Sequence, residues 1–281
     1  SPLVVGFTVV AVGTSLPELA VAIEAVGNDA PDIAIGGVLG SNVANVMLVL
    51  GTAALLGAKS EGGDDVRRDS VAVIVATAFM AVFVFGGEVP LSGGVVMLSC
   101  LVAYYYYTYS KAISGDDEYE FEDSWLPSKM SVAIPACIAG GAMIWLGAIL
   151  LVDGSTNIAE TYGVSEAVIG LTIVALGTSL PELAVTVVAG LRGQGGVAVG
   201  NVLGSNVMNI MGIISIASIF GGGIVVDSEF TRDIMVVIAT SGFVVTAFLR
   251  GKDFSRPVGS LMILTYVSYM TYLSGILDGL V

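Results

Sequence analysis

Apolar runs long enough to cross a bilayer recur from end to end of this 281-residue chain, and they leave few folds open. A helix rising about 1.5 Å per residue needs about 20 residues to cross a hydrocarbon core of about 30 Å. Nine such runs lie near residues 3–26, 32–57, 70–86, 90–109, 131–152, 166–191, 196–220, 233–249 and 258–277. Lipid offers no partner to an open backbone N–H or C=O, so a spanning segment is a helix or part of a closed barrel. The period-two alternation of barrel strands is absent. The expected fold class is therefore an all-α polytopic membrane protein. Composition agrees, since 55% of residues are apolar and 12% charged, a balance that a water-facing surface of this size does not carry.

The ten Lys and Arg residues fall in alternate connections. Lys59, Arg67 and Arg68 follow the second run, Lys111 and Lys129 the fourth, Arg192 the sixth, and Arg250, Lys252 and Arg256 the eighth. Arg232 alone follows the seventh. This nine-to-one split reads as positive-inside and places the acidic 111–130 connection in the cytoplasm and the C-terminus outside, in a multi-pass protein of the cell membrane. Tyr104 to Tyr107, at the cytoplasmic end of their run, read as an interfacial belt. The net charge of −14 disfavours nucleic acid as a partner. Nothing resembles a nucleotide-binding motif, so ATP is not expected either. There is no histidine, and Cys100 and Cys137 lack metal-ligand spacing and read as packing residues. Any metal handled here is held by oxygen.

A repeat organises the chain. Residues 6–21 match residues 170–185 at 13 of 16 positions, and at the same offset of 164 Gly40-Ser41-Asn42-Val43-Ala44-Asn45 matches Gly204-Ser205-Asn206-Val207-Met208-Asn209. Matching runs are five apart, an odd number, so the two copies cross the membrane in opposite directions, the inverted-repeat plan of many secondary transporters. Residues 1–110 form the first half, 111–130 an acidic linker and 131–281 the second half. The second half has five runs and the first four, so a further helix is expected before residue 1, giving ten.

Both motifs are rich in hard oxygen donors. Gly-Thr-Ser-Leu-Pro-Glu, at 13–18 and 177–182, sits mid-span, where glycine and proline interrupt the helix and release backbone carbonyls. Thr14, Ser15, Thr178 and Ser179 add hydroxyls beside the break. Glu18 and Glu182 each cost about 2.5–3.5 kcal/mol at the bilayer centre on insertion scales, which marks them as functional candidates. The second motif adds Ser41, Asn45, Ser205 and Asn209. Carboxylate, carbonyl, hydroxyl and amide oxygens at one locus suit Ca²⁺ and Na⁺. Asn42 and Asn206 fit helix packing or a bond to a carbonyl at least as well as ligation. Glu88, Asp153, Glu160 and Glu166, near run ends, read as solvated. The small residues of both motifs also let helices approach closely, which is the structural reading of the same pattern.

These paired segments resemble the α-repeats of the Ca²⁺/cation antiporter superfamily, and of its prokaryotic sodium/calcium exchangers above all. The resemblance covers residues 3–57 and 166–220. It implies a ten-helix fold with a four-helix core and a pair of long helices that slides across it, 131–152 being one of them. It implies cation ligands at Glu18, Thr14, Ser15 and the Ala11 carbonyl with Ser41 and Asn45, mirrored by Glu182, Thr178, Ser179 and the Ala175 carbonyl with Ser205 and Asn209. In well-known members the position of Asn209 is an aspartate, so this site is more symmetric and has one acid fewer. The Asn- and His-containing motif of the proton-coupled branch is absent.

The expected activity is Na⁺/Ca²⁺ antiport by alternating access, with no covalent chemistry, no enzyme activity and no cofactor; Ca²⁺ and Na⁺ are the substrates. Two glutamates are neutralised equally by one Ca²⁺ or two Na⁺, which makes the loaded forms interchangeable. Na⁺/H⁺ or another cation/H⁺ exchange, and a cation channel or membrane ion sensor, are the alternatives. The sensor would use the acidic linker as its output.

Overall fold

The computed structural model describes residues 4, 6–60, 63–113 and 130–275, and the acidic linker lies outside these over 114–129. The first run is a bent pair, α1 (Gly6–Thr14) and α2 (Leu16–Gly27), which meet at 46°. Then come α3 (Pro31–Leu56), α4 (Asp64–Gly86), α5 (Leu91–Ile113) and α6 (Met130–Tyr162). A second bent pair, α7 (Glu166–Thr178) and α8 (Leu180–Leu191), meets at 40°. It is followed by α9 (Gly195–Gly221), α10 (Phe230–Leu249) and α11 (Arg256–Leu273). Among the described residues six single helices and the two bent pairs are long and apolar enough to cross a membrane; α11, of 18 residues, is not among them. Among the described residues the fold is all-α apart from a two-residue antiparallel ladder, Glu88–Val89 with Ile224–Val225.

The connections sort onto two faces. On one, the Ser60 N–H and Oγ both donate to Asp253 Oδ1, at 2.9 and 2.6 Å, and Gly195 lies against the Lys59 backbone. On the other, the ladder joins the connection after α4 to the one after α9, and Ser165 Oγ donates to Glu229 Oε2 at 3.4 Å. The first bent pair ends on the second face and the second bent pair ends on the first. The repeats are inverted.

Burial separates centre from rim. The most apolar windows of α3 and α9 are 94% and 89% buried, against 22% and 18% for α5 and α6. Each central helix packs on the broken helix of the other repeat, α3 on α7 and α9 on α1. Glycine permits this approach, because a Cβ on Gly40 would stand 2.5 Å from the Leu171 carbonyl oxygen and 2.6 Å from Ala175 Cβ, and one on Gly204 would strike the Phe7 carbonyl. Between lipid-soluble helices such contact, rather than water expulsion, holds the bundle.

The tyrosine belt is divided. Tyr106 and Tyr107 are exposed as expected, but Tyr104 turns inward, donates to Asp69 at 2.5 Å and packs edge-on against Phe7. Asp69 also pairs with Arg68 at 2.7 Å. At the offset of 164, Asp233 accepts from Tyr269 at 2.8 Å, so the repeat extends into α4 and α10. Cys100 is exposed rather than packed inside.

Gly40→Val forces α3 from α7. Overpacking of this kind costs about 1–3 kcal/mol, and the expected outcome is a lower thermal midpoint of the detergent-solubilised protein in a fluorescence size-exclusion assay. Gly147→Ala, whose Cβ meets nothing within 4 Å, should leave the midpoint in place. An unchanged Gly40→Val midpoint would show that this crossing is not tight.

Candidate cation site between the repeats

Each bend is made by one residue. Ser15 (φ −84°, ψ 5°) and Ser179 (φ −82°, ψ 1°) leave helical geometry, and Pro17 and Pro181 stand in the first turn of the helices that resume, where no intrahelical N–H is required. The amide that Pro17 lacks would have met the Gly13 carbonyl, so proline frees the carbonyls of Gly13 and Gly177. The Ala11 carbonyl keeps Ser15 N–H at 3.0 Å and takes Thr14 Oγ1 at 3.3 Å. The Ala175 carbonyl keeps Ser179 N–H at 3.1 Å and takes Ser41 Oγ at 3.4 Å.

The bends put Glu18 and Glu182 in the first turn of α2 and α8. Both carboxylates therefore sit at the positive end of a helix dipole, in the interior, where that partial charge is least screened. Glu18 is 4% exposed and Glu182 fully buried, and the two are near enough to repel one another.

Around them the hydroxyls cross between repeats. Glu182 Oε1 accepts from Ser15 Oγ at 3.3 Å and Ser205 Oγ at 3.4 Å. Thr14 Oγ1 lies 3.5 Å from Ser205 Oγ, and in mirror fashion Ser41 Oγ lies 3.4 Å from Thr178 Oγ1. Both Glu18 oxygens, Glu182 Oε2, Ser179 Oγ and the whole amides of Asn45 and Asn209 are buried with no hydrogen-bond partner. Buried polar groups without partners cost about 1–3 kcal/mol each. Carboxylate, hydroxyl and amide oxygens left open in this way can hold a cation.

Wide helical turns adjoin the motifs at Gly6–Val10, Asn45–Val49, Gly170–Val174 and Met208–Ile214, and Asn45 and Asn209 lie within two of them. Such turns are rare and concentrate at functional sites, because one extra residue per turn re-aims the side chains. Asn42 Nδ2 donates to the Val38 carbonyl at 2.8 Å and Asn206 Nδ2 to the Asn42 carbonyl at 3.4 Å, so both bind carbonyls.

Two residues at the site escape the motif reading. Asn201, fully buried, accepts from Thr14 Oγ1 at 3.2 Å and donates through Nδ2 to the Glu182 carbonyl and to Thr186 Oγ1, each at 3.3 Å. A mid-span asparagine four residues before Ser205, and a threonine four after Glu182, were the available signals.

The family model for the sodium/calcium exchanger protein matches residues 1–110 and 132–275. The sodium/calcium exchanger MaX1 of Methanosarcina acetivorans is 31% identical over 311 residues, covering 97% of this chain and 89% of its own. The putative antiporter CaxA of Alkalimonas amylolytica is 32% identical over 282 residues, covering 96% and 87%. Among solved structures, the sodium-calcium exchanger NCX_Mj soaked with Na⁺ and Ca²⁺ superposes with a TM-score of 0.71 at 29% identity, covering 96% of this chain and 86% of that one. With two inverted repeats crossing at paired membrane glutamates, and these matches over nearly its whole length, the chain belongs to the sodium/calcium exchanger family, a family of cation antiporters and not of enzymes.

Proposed function

We propose that this protein exchanges Na⁺ for Ca²⁺ across the cell membrane, using Glu18 and Glu182 as the charged ligands of one shared site. The observation that carries this reading is the set of orphaned carboxylate, amide and hydroxyl oxygens where the repeats cross. Thr14, Ser15, Ser41 and Asn45 complete the ligand set from the first repeat, and Thr178, Ser179, Ser205 and Asn209 complete it from the second. The Ala11 and Ala175 carbonyls ligate when Thr14 and Ser41 release them. The name of MaX1 supports the choice of ions.

Exchange follows from charge. A site of two carboxylates is balanced by one Ca²⁺ or by two Na⁺, and either load removes the cost of holding both anions away from water. The empty site keeps that cost, so it does not pass through an occluded state, and outward movement of one ion is tied to inward movement of the other. The face that gathers Lys59, Arg192, Arg250 and Lys252 is cytoplasmic on this reading, and the ladder face is outside. Residues 1–110 and 131–281 act as the two moving halves. Neither nucleic acid nor ATP takes part.

The test is ⁴⁵Ca²⁺ uptake into proteoliposomes preloaded with Na⁺ or choline. Uptake is expected only with internal Na⁺, and Glu18→Gln and Glu182→Gln are each expected to reduce it at least about a hundredfold, the loss of a charged ligand worth about 3 kcal/mol. Uptake driven by a proton gradient without Na⁺ would replace this reading with cation/H⁺ exchange, and Ca²⁺ flow with no ion on the far side would make the protein a channel. Asn209, an amide where an acid would add a third charge, leads to a second expectation. Exchange of two Na⁺ for one Ca²⁺ moves no net charge, so the initial rate is expected to be unchanged when a K⁺ diffusion potential of about 100 mV, worth about 2.3 kcal/mol per charge, is imposed with valinomycin. Acceleration by inside-negative or inside-positive potential would mean that a further Na⁺ is carried.

A further inference from the structure

Residues 36–43 and 200–207 read Gly-Gly-Val-Leu-Gly-Ser-Asn-Val and Gly-Asn-Val-Leu-Gly-Ser-Asn-Val, identical at seven of eight positions. The one difference is Gly37 against Asn201. It is joined by a second at the same offset, Ala22 against Thr186, and Thr186 is the hydroxyl that the Asn201 amide meets. One half of the site thus holds an amide and its partner, while the other half has replaced both with the smallest side chains available.

The space is still there. A cavity of about 10 Å³ is lined by Glu18, Ala22, Gly37, Val174 and Thr178 among others. Glu18 and Thr178 are the counterparts of Glu182 and Thr14, which Asn201 binds. Ala22 and Gly37 are the trimmed positions themselves. A single water needs roughly 10–15 Å³ and at least two polar partners. Thr178 and Glu18 are the polar residues of its lining, and both Glu18 carboxylate oxygens are buried without a hydrogen-bond partner.

Asn201 has only one way to face. The Glu182 carbonyl accepts and never donates, so the amide must turn Nδ2 toward it and Oδ1 toward Thr14. Oδ1, at 3.2 Å, competes with the Ala11 carbonyl, at 3.3 Å, for the one Thr14 hydroxyl proton, and takes it whenever a cation claims that carbonyl. A hydroxyl whose proton is held elsewhere presents its lone pairs, which is what a cation ligand must do. In the other half the Thr178 proton goes to its own helix, at the Val174 carbonyl, 3.0 Å away.

We infer that the two halves of the site are braced differently: Asn201 is a positioning residue that presents Thr14 and holds α8 at Glu182, and the cavity at Gly37 binds one water that takes the same place beside Thr178 and Glu18. This rests on the reading of the site as a cation site. One half is then fixed before the ion arrives, and the other adjusts through a mobile water.

The experiment uses the full protein in proteoliposomes, with half-saturating Ca²⁺ and maximal rate measured separately. Asn201→Ala is expected to raise half-saturating Ca²⁺ about fivefold, the loss of about one hydrogen bond, with the maximal rate within about twofold. Thr14→Val removes the ligand that Asn201 presents, so it is expected to raise half-saturating Ca²⁺ further than Asn201→Ala does, and Asn201→Ala is expected to add little in the Thr14→Val background. Thr186→Val keeps volume and removes one partner of the amide, and serves if Asn201→Ala does not fold; a rise in half-saturating Ca²⁺ is expected there too. Ala22→Thr with Gly37→Asn rebuilds the amide where the water sits, with a new Cβ at 37 in ordinary contact with Val174 at 3.4 Å, and is expected to support exchange. A high-resolution crystal structure should contain one water bonded to Thr178 in wild type and none in that double variant. Unchanged half-saturation in Asn201→Ala or Thr186→Val, additive effects of Thr14→Val and Asn201→Ala, or a dry Gly37 cavity would overturn the inference. Wild type that carries no Ca²⁺ would instead sink the exchange reading on which it depends.

Discussion

Two neighbouring carboxylates, held in a medium that cannot hydrate them, set the terms for everything packed around Glu18 and Glu182. Each buried ion carries a desolvation penalty of several kcal/mol, and two like ions add their repulsion. The fold answers in stages. Bends at Ser15 and Ser179 bring a helix N-terminus to each carboxylate, and Ser15 and Ser205 reach Glu182. What the protein leaves unanswered, both oxygens of Glu18 and one of Glu182, is on the proposed reading the part that a bound cation answers. A site satisfied by its own donors would have no use for an ion.

That requirement explains the packing. The hydroxyls that meet Glu182 come from both repeats, so the helices carrying them must cross in contact, and Gly40 and Gly204 supply the contact. Bulk in the outer helices matters less: α5 and α6 are largely exposed and serve as a rim. The pairs Asp69–Tyr104 and Asp233–Tyr269 then tie each half's outer helices together, the aspartates at equivalent positions in the two copies and the tyrosines one residue out of register.

Much of this was legible in the chain. Apolar runs were legible as helices because lipid leaves the backbone no alternative, eight of the nine being long and apolar enough to span among the described residues and the last, α11, falling short, and the 164-residue offset was legible as an inversion because parity alone decides direction. Glu18 and Glu182 were legible for the same reason, as charges in lipid. The bend residue and the freed carbonyls were less so. Glycine and proline announce a break, but whether Ala11 or Gly13 loses its partner depends on where the helix resumes. Tyr104 was misplaced because a run of four tyrosines reads as one interfacial feature, whereas helical geometry divides it between lipid and Asp69. Asn201 escaped because motif matching rewards identity, and its information lies in a difference.

Differences are where an inverted repeat stores its bias. Were the two copies identical, exchanging their local conformations would convert an outward-open molecule into an inward-open one of equal energy, by symmetry alone. Every departure from identity moves that balance, and about 1.4 kcal/mol is enough for a tenfold preference. Gly37 against Asn201 and Ala22 against Thr186 lie at the centre, in helices that must shift against one another if the site is to open alternately. An amide bonded at three points resists that shift more than a water does, because a water re-forms its bonds at little cost while the amide must break them together. The half braced by Asn201 is therefore the stiffer one, and the movement that opens the site falls more easily on the side of Gly37.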